Sequence, residues 1–372
     1  MKRFDPLTLL ARPDKWYLGG GGRLLWAPPF PSFLDRPGFW DKGHYYNFEI
    51  HPLFTWTVLD ERGHEIPLDR GERRWNPAVL LQRFSARRDK LAIEEEKAVL
   101  PHDVAVSQIS IANLSGKVRR LHLVVWTAHD TQPSKRTAWV TEAHYREGRI
   151  GFEKHVAHPD RPEFRCSIVL GSSRRTDSFS INLSEGMVPP PEWSITPFSE
   201  QFAGEKLANA EKLHGVTDDG VLYMALHVRL TIRPRQKKSV TFGVAVASSV
   251  QEARQHLCVA LESGNPISLS EMNWRGHFAD APFLQCSDEY FTRYYWYRWY
   301  GLKLNTIATG EQNYRDPFVC EGIGYFRAPI SYSAPCHMLE NRWLYTPSLP
   351  AAVCSRSLTT RGRMGAFVAI LT

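Results

Sequence analysis

No uninterrupted apolar stretch of about 18 residues occurs in the chain, which excludes a helical membrane span. Its six cysteines form no Cys-x-x-Cys pair and no other zinc spacing, so a zinc motif of that kind is excluded. The opening Met1-Lys2-Arg3-Phe4-Asp5 has no apolar core before Arg12 and Asp14, which argues against a signal peptide. Reduced thiols and a cytoplasmic location are the resulting expectation. Gly-x-Ser-x-Gly is absent, and no Rossmann glycine pattern sits on a strand–helix turn, leaving a serine hydrolase or dinucleotide enzyme unsupported. Basic residues gather on no stripe. Arg87-Arg88, Arg119-Arg120, Arg174-Arg175 and Lys237-Lys238 are isolated pairs, so a net charge of +7 does not suggest nucleic acid as a partner.

The chain has 372 residues, 43% of them hydrophobic and 12% aromatic, a core-forming composition with room for two domains. Twelve tryptophans serve core packing more often than ligand binding. Residues 1–40 read as loop, and the glycines at 19–22 read as a flexible surface segment, since no Lys-Ser/Thr follows them.

From Tyr45 the text turns strand-like. Phe48, Ile50 and Leu53 to Val58 are short apolar runs. Val104 to Ile111 alternates with period two, as Leu121 to Val125 does in part. Further strands read at Leu91–Leu100, Thr137–Glu142, Arg149–Phe152, Phe164–Leu170, Val221–Ile232 and Ser239–Ala247, parted by Ser115-Gly116, Glu147-Gly148 and Asp218-Asp219-Gly220. Phe198–Lys212 reads as a helix or long loop. His155-x-x-His158 reads as a polar surface loop and not a metal site. An antiparallel sandwich is predicted over 1–247.

Helical spacing then takes over. Val250–Leu261 places Ala253, Leu257, Ala260 and Leu261 on one face, and Glu262 to Pro266 stops it. A second helix reads over Ser268–Phe278, making 248–281 a linker. A third starts after Ser287, with Asp288 and Glu289 in the first turn where the helix dipole favours acids. It carries Tyr290, Phe291, Tyr294, Tyr295, Trp296, Tyr297, Trp299 and Tyr300, rings on all sides.

The run from Cys320 to Trp343 is dense in rings and hydrogen-bonding groups and leads into a helix, with Ser333 as N-cap and Pro335 in the first turn. Rings for pyranose faces and forked donors or acceptors for hydroxyls are what a sugar site requires. The alternative reading is an ordinary loop into a buried helix. Asp316 and Glu321 are the candidates for hydroxyl contacts, while Glu340 suits an arginine such as Arg327.

A sandwich leading through a linker into an aromatic helix, and the segment from Phe326 through Arg327, Tyr332, Ser333 and Pro335, resemble the six-hairpin (α/α) glycosidases. The nearest members are similar to family 63 glucosidases and the mannosylglycerate-hydrolase-like, or debranching-enzyme-like, group. The resemblance implies a two-domain protein, mainly β then α, an antiparallel sandwich followed by the first helices of an incomplete (α/α)6 barrel over 282–372. It implies that Tyr325, Phe326, Arg327, Tyr332, Ser333 and His337 line a sugar pocket, with Arg315, Asp316 and Glu321 in the loop beside it as further substrate-binding candidates. Related sequences carry aspartate where Ser333 stands, so any contact there is a neutral hydrogen bond. The implied chemistry is inverting hydrolysis of α-glucosidic bonds by two carboxyl groups, with no cofactor. A glycoside phosphorylase of the same architecture and a non-catalytic carbohydrate-binding protein are the alternatives.

Those two carboxyl groups are expected beyond Thr372. Pro282–Thr372 supplies about a quarter to a third of a toroid that needs upward of roughly 200 residues, so this chain alone is expected to be inactive. Ser357–Thr372 has neither helical period nor cap. Back-translated with permissive codons and shifted by one base, it can encode Asp-Asn-Gln-Gly-Ala-Asp-Gly-Ser-Phe, similar to a turn found after this helix in six-hairpin enzymes. A frameshift between Leu344 and Ser357 is the expectation, with the tail after about 350 out of frame; chance agreement is the alternative. An unfinished barrel would expose the helix around Trp296 and Trp299 and favour aggregation.

Overall fold

The computed structural model describes residues 4–131, 138–158, 161–185, 202–203, 205–207, 213–215, 220–308, 317–323, 327–328 and 330–346. Alternating burial builds its first two thirds. Strand Leu91–Leu100 buries every second side chain before running into the core. It joins Val104–Asn113 through a turn in which Asp103 takes φ +59°. These two lie inside a nine-stranded antiparallel sheet. From one edge its order is Leu213–Gly215, Ala138–Arg146, Arg149–His158, Arg161–Ser172, Lys237–Ala247, Val104–Asn113, Leu91–Leu100, Leu80–Ala86 and Asp69–Trp75.

A second sheet runs Ser178–Glu185, Gly220–Ile232, Arg119–Asp130 and Thr55–Leu59. Its middle strands are buried on both faces. Leu121, Leu123 and Val125 join Ile109, Ile111 and Ile168 of the large sheet in one apolar core. Val124, Trp126 and Ala128 point the other way, onto Trp40, Leu59 and Tyr223. Each buried side chain of this size contributes about 1.5–3 kcal/mol, so the second cluster is a core in its own right.

Of the charged side chains buried among the described residues, two have no solvent exposure at all. Glu95 and Lys97, two apart on one strand and so on one face, are both fully buried. Glu95 Oε1 accepts from Gly38 N and Trp56 Nε1, each at 2.8 Å, and from Ser107 Oγ at 2.5 Å. Lys97 Nζ donates to Gly38 O at 2.9 Å and lies 5.2 Å from the Trp26 ring centroid. The pair fixes the loop at Gly38, whose φ of +75° and 2.7 Å Cβ approach to Phe54 O admit only glycine.

Five helices accompany the sheets among the described residues. Helix α1 (Pro6–Leu10) is capped by Asp5. Helix α2 (Val250–Glu262) is capped by Ser249 and buries Ala253, Leu257, Ala260 and Leu261, the face its spacing predicts. Leu257 fits where Gly171 and Gly243 leave room on neighbouring strands. Helix α3 (Pro266–Asp280) is capped by Asn265, and α4 (Glu289–Leu304) by Asp288, which accepts from Tyr290 N at 2.9 Å and Phe291 N at 3.0 Å. Helix α5 spans Ser333–Asn341. The result is a β-rich antiparallel unit followed by a partial helical one.

Several expectations change. Gly19–Gly22 is a packed seam and not a flexible surface loop: a Cβ on Gly20 would stand 2.4 Å from the Leu100 backbone, and one on Gly22 2.4 Å from Pro101 O. Trp296 and Trp299 are 2% and 6% exposed, because α4 turns them onto Phe4, Phe278 and His277. The α4 rings left in solvent are Tyr290, Phe291 and Tyr294, with Tyr297 at the margin. His155 belongs to a strand and not to a polar loop: it is buried, with Nδ1 2.6 Å from Glu163 Oε1. Within Phe198–Lys212, read as a helix or long loop, the described residues pair Phe202–Ala203 with Lys206–Leu207 as a short ribbon.

Candidate functional site

The segment between α4 and α5 is held at both ends. Thr306–Ile307 pairs with Phe318–Val319, and Cys320 N donates to Asn305 O at 2.9 Å, returning the chain to the end of α4. Glu321 N donates to Ala328 O at 3.2 Å, which closes a loop, and Ala334 N donates to Ile330 O at 2.9 Å as α5 begins. Ser333 is the first helical residue and not the N-cap. Tyr332 already has helical φ/ψ and caps nothing with its side chain. Helix α5 is clamped to α4 by Arg298, which donates to both Glu340 oxygens at 2.7 and 2.5 Å. Glu340 therefore pairs with Arg298 and not with Arg327.

Four of the predicted site residues, Arg315, Asp316, Tyr325 and Phe326, lie outside the described residues. Of the others, the structure brings two together: Ser333 Oγ donates to Glu321 Oε2 at 3.3 Å, with the Glu321 carboxylate exposed. Tyr332 extends its ring into solvent, 85% exposed. His337 is buried on the inner side of α5, and its Nδ1 has no hydrogen-bond partner among the described residues. Burial, and then the Arg298 charge, lower its pKa, which keeps the imidazole neutral at pH 7.

Arg327 faces the sandwich. It is 3% exposed, and its Nη2 donates to Arg23 O at 2.8 Å, a carbonyl that also accepts from Tyr46 N at 3.0 Å. Burial lowers the guanidinium to about 10, opposed by Cys320 and Asp103, so it stays charged at neutral pH. Burial pushes the Cys320 thiol up to about 12 and leaves it protonated. The Arg327 charge and burial hold His44 down at about 4, with burial the larger cause. Arg327 thus ties the loop to Arg23, at the start of strand Leu24–Trp26, which pairs with Gly43–Tyr45.

The sequence reading missed what this tie rests on. Asp103 accepts from Leu24 N and Arg23 Nε, both at 2.7 Å, and from Arg23 N. Arg23 Nη2 reaches Glu252 Oε1 of α2 at 2.9 Å. The residues concerned are the acid that follows Pro101-His102 and the glycine run that lets the two backbones touch, and neither carries a sequence pattern that marks it as structural.

Among the described residues of 317–332, Glu321 is the only carboxylate. One carboxylate accepts a sugar hydroxyl well, but hydrolysis with inversion needs an acid and a base on opposite faces of the ring. No group of three or more His, Cys, Asp or Glu side chains among the described residues is placed to hold a metal ion.

No protein-family model and no curated protein matches the chain. Solved structures similar to it include a family GH92 α-mannosidase from Bacteroides thetaiotaomicron (TM-score 0.46, 10% identity, covering 86% of this chain and 44% of that one). A protein described as a kojibiose phosphorylase, from the human microbiome, gives 0.47 and 10%, covering 80% and 43%. A bacterial glucoamylase complexed with acarbose gives 0.45 and 9%, covering 79% and 42%. The chain spans less than half the length of each of these glycoside hydrolases and of the phosphorylase.

Proposed function

We propose that this chain is the amino-terminal portion of a glycoside hydrolase of six-hairpin type, of the family 63 or mannosylglycerate-hydrolase-like kind, acting on α-linked glucosides or short oligosaccharides. In this reading α4 and α5 open an (α/α)6 barrel, and the loop before α5 forms part of the wall of its sugar pocket. The supporting observation is the closed loop that sets the Glu321–Ser333 pair beside the exposed Tyr332 ring, on a helix clamped by Arg298. Glu321 accepts a sugar hydroxyl with ionic strength, Ser333 adds a neutral bond, and Tyr332 offers a face for a pyranose. The proton donor to the leaving oxygen and the base that activates water are carboxyl groups outside the described residues. Water attacks the face opposite the leaving group, with inversion.

The test is turnover of a panel of α-glucosides, with and without inorganic phosphate, by this chain and by a version extended through the restored reading frame. Activity is expected in the extended protein and not in this chain. Turnover by this chain alone contradicts the placement of the acid and base. Turnover that requires phosphate replaces hydrolysis with phosphorolysis.

A further inference from the structure

A cleft of about 250 Å³ opens on the other side of the helical seam, between α1, α3 and the outer face of strands Asp69–Trp75, Leu80–Ala86 and Leu91–Leu100. Its apolar lining comes from Leu7, Val79 and Leu81. Around it stand Arg74, Asn76, Glu96, Glu271 and the Asp5–Arg275 ion pair at 2.6 Å.

What distinguishes this cleft from an ordinary surface groove is how little its polar groups do for the fold. Glu271 and the Arg74 guanidinium make no ion pair or side-chain hydrogen bond among the described residues. Asn76 spends its carbonyl oxygen on Ala78 N at 2.8 Å and Val79 N at 3.0 Å, and its amide has no acceptor among the described residues. Glu96 has one long contact, from Gln108 Nε2 at 3.4 Å. The backbone beneath is rigid: Ser270 Oγ donates to Ala78 O at 2.8 Å, joining α3 to the Asn76 turn.

We propose that this cleft binds one neutral sugar ring, with hydroxyls donating to Glu96 and Glu271 and accepting from Arg74 and the Asn76 amide over the apolar floor. Forked acceptors beside forked donors match vicinal hydroxyls, which give and take at adjacent oxygens. The size fits one ring, since pockets for larger ligands run about 300–1,000 Å³. A neutral ligand suits the lining: Asp5 is cancelled by Arg275 and Arg74 offsets Glu271, which leaves Glu96 as an acceptor and no excess of cations to recruit an anion. This site stands whether or not the α5 loop binds sugar.

Saturation-transfer NMR on the full chain with methyl α-D-glucoside, methyl α-D-mannoside and maltose tests it. Binding of at least one of these is expected, weakened about tenfold or more by Arg74→Ala and by Glu271→Ala, the scale for losing a hydrogen bond to a charged group. Both side chains lie at the surface, and an unchanged urea midpoint would show that the variants fold. Glu321→Ala is expected to leave this binding intact. No binding of any of the three sugars, or binding insensitive to both cleft variants, overturns the proposal. Binding lost only with Glu321→Ala also overturns it, while supporting the α5 loop as the sugar site.

Discussion

Three N–H groups converge on the Asp103 carboxylate, two of them from Arg23, whose backbone carbonyl in turn holds Arg327. Removing the acid strips the Arg23 cation, only 13% exposed at its side chain, of its more buried carboxylate and frees the N–H groups of Arg23 and Leu24, while the Glu252 ion pair remains. Asp103→Ala is therefore expected to cost about 3–5 kcal/mol, read as a fall in the urea midpoint. A loss under about 1 kcal/mol would show that this junction contributes little. Gly20 makes the same point through sterics. A methyl group there meets backbone rather than a movable side chain, so Gly20→Ala is expected to destabilise by about 1–3 kcal/mol, against the usual small effect of alanine in a free loop. Neither residue was legible as structural in the sequence. A glycine run has the same composition whether it is loose or pressed against a hairpin, and a turn acid looks the same whether it is solvated or buried.

Helix α5 depends on few contacts, and the Arg298–Glu340 clamp is the clearest of them. Both partners are partly exposed, so Arg298→Ala should move global stability by less than about 1 kcal/mol. It should nevertheless speed proteolysis in the loop before α5, because local opening needs only that helix to release. An unchanged cleavage rate would mean that the clamp does not hold the loop. At this scale the sequence was read well where one face met the core, as in Leu91–Leu100 and α2. It was read only in part where both faces were buried: Arg119–Asp130 shows alternation only between its two apolar clusters. Asp69–Trp75 escaped notice because an edge strand exposed along most of its length carries charges that read as loop. At the site, the pairing of Ser333 with Glu321 crosses a loop and has no period to reveal it.

Over the whole molecule, buried histidines set the response to acid. Burial holds His44 and His277 at about 4 and His227 at about 3. The unfolded chain binds their protons from about pH 6.5 downward while the folded one does not, so stability falls as pH drops from about 6.5 toward 4. The urea midpoint should decline steadily through that window, and a flat profile would contradict the burial of these rings. Tyr290, Phe291 and Tyr294 leave one side of α4 apolar, which predicts concentration-dependent light scattering that Tyr290→Lys with Tyr294→Lys reduces. The division into a β-rich part and a helical part was legible because the pattern changes from period two to period 3.6 near Ala247. Whether the loop before α5 grips a saccharide is read by steady-state kinetics of Glu321→Ala in any longer protein that carries this chain and turns over α-glucosides. The account predicts a KM for α-glucosides raised about tenfold or more with kcat little changed, the mark of a lost ground-state contact. An unaltered KM would contradict it.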